Sequence, residues 1–265
     1  MQQSKNFVTI RQYQYIEGLK PIEIDSSLQN DPNRFLTVTE KSNFLTLVGQ
    51  IRWCVNMSRP DMSYAACELG SVQSKPKLLD LKKANKYLRD MKSDQVCLKF
   101  CHLDMSSLKL TVYADASFGN LPDGGSQGGH IIFLSDEYGR CSVISWCSKR
   151  IRRVARSTLS AETQAVVEAL DSAYLISKCL DAMLDKPVGI TLYTDNKSLN
   201  DSINTTNLAQ DKRLRVDLAA LREINDNNDV DFKWVDTKSQ IADVLTKKGV
   251  SKHNLLQILQ QSCFA

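Results

Sequence analysis

After Ser93 the spacing of apolar residues changes from a helical period to a two-residue one, and this limits the folds open to the chain more than anything else in it. Leu108, Leu110, Val112 and Ala114 alternate with Lys109, Thr111, Tyr113 and Asp115, the pattern of a half-buried strand. That strand is expected to end at Asp115. A glycine-bearing loop, Gly119 to Gly129, leads into a strand over His130 to Leu134, and a turn, Asp136 to Arg140, leads into a third over Ser142 to Cys147. Three strands joined by short loops predict an antiparallel meander. Val166, Leu170, Ala173 and Leu180 then mark a long helix from Leu159, with Ser157 and Thr158 as caps. A strand over Ile190 to Thr194, a helix over Leu208 to Ile224, a strand over Val230 to Val235 and a helix over Ser239 to Lys247 complete the pattern. The result is a mixed α/β sheet with helices on its faces.

Before Ser93 the pattern is mainly helical. FVTI near the start reads as a strand, and the polar stretch Ser26 to Arg34 as a loop. Phe44, Leu47, Val48, Ile51 and Val55 repeat at helical spacing, but Thr39 is followed by Ser42, so no capping box is expected there. Arg59-Pro60-Asp61 ends this helix, because proline lacks a backbone donor and restricts its predecessor. Further helices are expected over Met62 to Val72 and Leu79 to Met91. The chain therefore divides into residues 1–100, mainly helical, 101–250, the α/β unit, and 251–265, a helical tail.

Composition narrows the function classes only a little. Lys and Arg outnumber Asp and Glu by 34 to 30, which permits nucleic-acid binding without requiring it. Eight scattered Cys form no CxxC pair, so reduced thiols are expected in place of a structural zinc site. No apolar run approaches the roughly 20 residues needed to span a bilayer, and the N-terminus lacks a basic-then-apolar signal pattern. A soluble, intracellular protein is expected. Trp146 and Trp234, both in predicted strands, read as core residues.

Four acids stand where their local structure singles them out: Asp115 and Asp195 at strand ends, Glu162 in the long helix and Asp243 in the last one. Singly, each would pass for a solvated or capping side chain. Glu162 precedes Val166 by four residues and so shares the face that Val166, Leu170 and Ala173 turn to the sheet, where an unpaired carboxylate is costly. If the strands carrying Asp115 and Asp195 are neighbours, all four carboxylates can meet at one sheet edge. They would repel unless divalent cations lay between them. Oxygen-only ligands fit two Mg²⁺ or Mn²⁺ ions, the arrangement used for in-line phosphodiester hydrolysis.

With these acids placed, the motifs resemble the ribonuclease H domains of copia-type LTR retrotransposon polyproteins. The matching pieces are Tyr113-Ala114-Asp115-Ala116-Ser117, Ile144-Ser145-Trp146-Cys147-Ser148-Lys149-Arg150, Ser157-Thr158-Leu159-Ser160-Ala161-Glu162-Thr163, Leu192-Tyr193-Thr194-Asp195-Asn196 and Gln240-Ile241-Ala242-Asp243-Val244-Leu245-Thr246-Lys247. The resemblance implies a ribonuclease H-like mixed five-stranded sheet, three antiparallel strands then two more, flanked by helices. It also implies metal-binding catalytic acids at Asp115, Glu162, Asp195 and Asp243, and hydrolysis of the RNA strand of RNA–DNA hybrids in the cytoplasm, or in a virus-like particle for an active element. Tyr15-Ile16, Leu47-Val48-Gly49-Gln50-Ile51, Arg59-Pro60-Asp61-Met62-Ser63-Tyr64-Ala65 and Ala84-Asn85-Lys86-Tyr87-Leu88-Arg89 resemble the end of the same family's reverse transcriptase region. No Tyr-x-Asp-Asp motif occurs, so the chain is expected to be a piece of a longer polyprotein, or derived from one, and not a polymerase by itself. One departure is Arg215, where such relatives often carry a His; it bears on turnover and not on metal binding.

Lys149, Arg150, Arg152, Arg153 and Arg156 fall within eight residues just before the long helix, a cationic loop suited to holding a nucleic-acid backbone. Ser117 and Asn196, each near a candidate ligand, are candidates to touch a sugar or 2′-hydroxyl. Two other readings compete with the nuclease. One is a catalytically idle hybrid-binding or connection domain from a degenerate or domesticated element. The other is a transposase or integrase, whose three-acid site would end in Glu where this chain has Asp243.

Overall fold

A computed structural model of the chain describes residues 2–3, 7–25, 31–205, 211–227 and 229–264. β1 (Gln2–Gln3) and β2 (Phe7–Ile10) precede α1 (Tyr13–Gly18), α2 (Val38–Ser58), α3 (Ser63–Ser71) and α4 (Leu78–Ser93), and β3 (Leu98–Cys101) follows. β2 lies between β1 and β3 in a small antiparallel sheet. The helices bury Phe44, Leu47, Val48 and Ile51 of α2 against Leu69 of α3 and Leu81, Ala84 and Leu88 of α4, one core of its own. Of the expected loop at Ser26 to Arg34, the first five residues lie outside the described residues.

The start of α2 differs from the expectation. Thr37 caps it, accepting from the Glu40 backbone N–H while the Glu40 carboxylate accepts from that of Thr37, a full capping box. Arg34 holds the same carboxylate at 2.6 Å, which pulls the Glu40 carboxyl down to about 2. Thr37 and Glu40 precede Phe44, where the apolar repeat of the helix begins, so apolar spacing gave no hint of them. The next helix is also shorter than expected: Pro60–Met62 form a 3₁₀ turn before α3.

The second sheet carries β4 (Lys109–Ser117), β5 (Gln127–Ser135) and β6 (Cys141–Arg150), then α5 (Thr158–Leu184), β7 (Gly189–Thr194), α6 (Lys197–Ile203), α7 (Lys212–Asp226), β8 (Val230–Trp234), α8 (Asp243–Thr246) and α9 (His253–Gln261). Its strand order is β6-β5-β4-β7-β8, antiparallel across the first three and parallel from β4 to β8. This is the expected mixed sheet, three antiparallel strands then two more. Ala114, Val112 and Leu110 of β4 pack under Val166, Ala169, Leu170 and Ala173 of α5 on one face. On the other face Ile131, Phe133 and Val143 meet Leu245 of α8 and Leu255, Ile258 and Leu259 of α9. The first residues of the helix expected from Leu208 lie outside the described residues; α7 begins at Lys212.

Several boundaries move, each where the strands run on. β4 passes Asp115 and ends at Ser117, paired with Gln127, so Asp115 lies inside a strand and not at its end. Gly128 and Gly129 belong to β5 and not to the loop before it. A Cβ on Gly129 would lie 2.7 Å from Leu245 Cβ and 2.9 Å from Thr246 Cγ2, so the missing side chain lets the α8 segment sit directly on the strand. β6 extends to Arg150, which makes Lys149 and Arg150 strand residues. The helix expected over Ser239 to Lys247 is instead a 3₁₀ turn, Thr237–Ser239, and the four-residue α8. Trp234 is 48% exposed, not core, and donates to the Asp195 carbonyl oxygen at 3.0 Å. Among the described residues no helix is long and apolar enough to cross a membrane.

Candidate metal centre

The acids meet where β4 and β7 part. Pairing of the two parallel strands stops at Tyr113 with Tyr193, β7 ends at Thr194, and the chain delivers Asp195 into the gap beside Asp115. Asp243, the first residue of α8, closes the group from the opposite face. One carboxylate oxygen from each of Asp115, Asp195 and Asp243 lies within 4.8 Å of the other two. Glu162 approaches from the first turns of α5. It falls outside that group of three, but it is buried, and the negative charges of Asp115 and Asp195 act on it.

Burial, more than anything else, disfavours the charged forms here. It raises the Asp115 carboxyl to about 6, with Asp243 and Asp195 adding to the effect while Lys247 and Thr246 oppose it. Burial and the neighbouring Asp115 and Asp195 push Glu162 up to about 9, opposed by the Lys247 charge and a backbone hydrogen bond from Ala116. Glu162 Oε2 is buried with no hydrogen-bond partner. A buried oxygen without a donor is costly to desolvate, and a hard cation would satisfy it.

Lys247 is the site residue that sequence reasoning left without a role. Its Nζ donates to Asp243 Oδ1 at 2.6 Å and to Asp115 Oδ1 at 3.3 Å, while Thr246 Oγ1 donates to Asp115 Oδ2. Burial works against its charge, but Asp115, Asp243 and Asp195 together raise its pKa above the ordinary lysine value. The four-residue spacing from Asp243 to Lys247 was the available signal, since such pairs neighbour one another on one turn of helix.

The other candidates are partly engaged within the chain. Ser117 is buried and accepts from Asn120 Nδ2. Asn196 caps α6, its Oδ1 accepting from the Leu199 N–H at 2.9 Å. Of the five cations, Lys149 pairs with Glu168, Arg150 with Asp123, and Arg153 with both oxygens of Asp217. Arg152 and Arg156 are exposed and make no ion pair among the described residues. Arg215 is exposed on α7.

No protein-family profile matches the chain. It is 34% identical over 113 residues to the putative transposon Ty5-1 protein of Saccharomyces cerevisiae, covering 42% of this chain and 34% of that protein. It is 33% identical over 142 residues to the transposon Ty1-NL2 Gag-Pol polyprotein of the same yeast, covering 52% of this chain and 8% of the polyprotein. The chain thus matches about a third of one of these relatives and less than a tenth of the other. Among solved structures, LC11-RNase H1 in complex with RNA/DNA hybrid aligns with 52% of this chain and 94% of its own at 18% identity and a TM-score of 0.41. The foamy viral protease-reverse transcriptase in complex with RNA/DNA hybrid aligns with 83% of this chain and 29% of its own at 13% identity and a TM-score of 0.43. The chain is thus similar over 113 to 142 residues to yeast transposon proteins, one of them a Gag-Pol polyprotein, and that similarity falls on a chain whose second sheet is mixed and five-stranded.

Proposed function

We propose that the chain is a divalent-metal-dependent endonuclease that hydrolyses the RNA strand of RNA–DNA hybrids within a retrotransposon reverse transcriptase polyprotein. On this reading residues 1–100 are the end of the reverse transcriptase region, 101–250 the nuclease and 251–265 its tail. The observation that supports it best is the convergence of Asp115, Asp195 and Asp243 from three separate elements, beside the buried and unpartnered Oε2 of Glu162. The donor set is all oxygen and suits Mg²⁺ or Mn²⁺. Asp115, Glu162, Asp195 and Asp243 would hold two such ions. When bound, the ions activate a water and stabilise the leaving oxygen of an in-line displacement.

The chain's own residues orient and bind. Thr246 fixes Asp115 Oδ2, and Lys247 holds Asp115 and Asp243 together. Arg152 and Arg156 hold the nucleic-acid backbone without reading sequence, joined by Lys149, Arg150 and Arg153 as phosphates take the place of their carboxylate partners. Asn196 keeps its amide nitrogen for a sugar or 2′-hydroxyl, with Ser117 beside Asp115 in the same role. An ammonium already seated on two of the acids favours a second reading, an idle hybrid-binding domain.

Incubation with an RNA–DNA hybrid labelled on each strand separates the two. Mg²⁺ or Mn²⁺ is expected to give cutting of the RNA strand alone, abolished by EDTA, with duplex DNA left intact. Hybrid binding without cutting would leave the idle domain as the better account.

A further inference from the structure

The segment that carries Asp243 and Lys247 is too short to place itself. α8 has four residues, well below the length at which a helix is stable by itself, and it is followed by Gly249 in the left-handed region at φ 74°. Its position depends on anchors, and these fall into two sets. On the sheet side, Gln240 Nε2 donates to the Ala114 carbonyl oxygen at 3.0 Å and Ser148 Oγ to that of Leu245 at 2.6 Å. Beyond Lys247 the anchors are on the helical unit. Lys248 Nζ reaches Glu68 Oε1 of α3 at 3.5 Å, and Lys252 Nζ reaches Asp61 Oδ2 at 3.3 Å.

Asp61 is a fixed point. It is buried, and Arg59, also buried, grips both its oxygens at 2.8 and 2.9 Å while donating to the Met91 carbonyl oxygen at 2.9 Å. Burial works against the Asp61 charge, but Arg59 and then Lys252 hold its carboxyl below the ordinary value. α8 touches α3 and the Pro60–Met62 turn directly, but the contact between the two bodies is incomplete. A cavity of about 210 Å³, bordered by Tyr64, Tyr87 and Asp90 on one side and by Val244 and Lys247 on the other, lies between them.

We propose that the Asp61–Lys252 ion pair, buttressed by Arg59 and seconded by Glu68–Lys248, is a positioning brace through which the helical unit sets the place of Asp243 and Lys247 in the metal site. The inference rests on the reading that the four acids hold divalent cations. Residues behind a metal's ligands orient them, and their loss commonly weakens binding by about 10- to 100-fold. The helical unit is thereby part of the centre's geometry and not only its neighbour.

Exchange of Asp61 would leave the Arg59 guanidinium buried without a counter-charge and could unfold the chain, so Lys252, which is partly exposed, is the residue to change. Mn²⁺ binding to the whole chain, without nucleic acid, is read from the electron paramagnetic signal of the free ion. Lys252→Met is expected to weaken Mn²⁺ binding by about tenfold, and Lys252→Arg, which can still reach Asp61, to restore it. A lysine with only a structural role would lower the melting temperature and leave the Mn²⁺ affinity alone. Equal Mn²⁺ affinity in wild type and Lys252→Met would therefore overturn the brace while leaving the metal site standing. Absence of Mn²⁺ binding in the wild type would overturn both.

Discussion

Replacement of Asp195 by Asn is expected to lower cleavage of the RNA strand on the order of 10³-fold while changing hybrid affinity little. Asp195 enters the gap between β4 and β7 directly after the last paired residue of β7, so the amide can occupy the same space without disturbing the sheet. What changes is charge. Metal coordination stabilises the developing charge of the displacement by several kcal/mol, and about 4 kcal/mol corresponds to three factors of ten in rate. Backbone affinity is assigned to residues outside the acid group, chiefly Arg152 and Arg156. Single-turnover cleavage and equilibrium binding of the same hybrid measure the two quantities separately. An Asp195→Asn protein that cuts at the wild-type rate would remove this residue from the site.

A second large effect is expected on stability in the absence of metal. Glu162 and Asp115 bind their protons more tightly in the folded chain, with values near 9 and 6, than in the unfolded one, where 4.5 and 3.8 apply. Between those limits the folded state holds the extra protons, so stability is full below the unfolded values and is lost as the pH rises through the folded ones. His130 has the opposite sign, since burial lowers it to about 4 from 6.5, but its contribution is complete by the upper of these values. Above that range Glu162 dominates, and stability should fall by about 1.4 kcal/mol per pH unit. Thermal melts in EDTA from about pH 6.5 to about pH 8.5 should show a steadily falling midpoint. Glu162→Gln should flatten this dependence, and Mg²⁺, which favours the ionised carboxylate, should oppose it. A wild-type midpoint independent of pH in EDTA would mean that Glu162 is not held protonated by its surroundings.

The strongest periodic signals in the sequence carried over into structure. The alternation from Leu108 to Asp115 became β4, and the apolar stripe of Val166, Leu170 and Ala173 became the buried face of α5. Three of the four acids lie together, because parallel pairing of β4 with β7 puts Asp115 and Asp195 side by side and α8 adds Asp243, while Glu162 stays outside that group. What sequence periodicity could not reach was set by contacts distant in the chain. Gly129 reads as a loop residue until Leu245 and Thr246 are seen resting where its side chain would be. Segment 239–247 has helical spacing, yet Gln240 turns inward to Ala114 and breaks it into a 3₁₀ turn and one turn of α-helix. The cationic run looked free because its partners, Asp123, Glu168 and Asp217, lie up to 64 residues away. Lys247 was visible as part of a motif, but its seat on Asp115 spans 132 residues.

The most direct test of the whole account is a Mn²⁺ titration of the wild-type chain beside Asp195→Asn, followed by the electron paramagnetic signal of the free ion. Saturable binding by the wild type is expected, and binding weaker by about tenfold or more in the variant. A wild type that takes up no Mn²⁺, or a variant that binds it equally well, would contradict the claim that these carboxylates form a metal site.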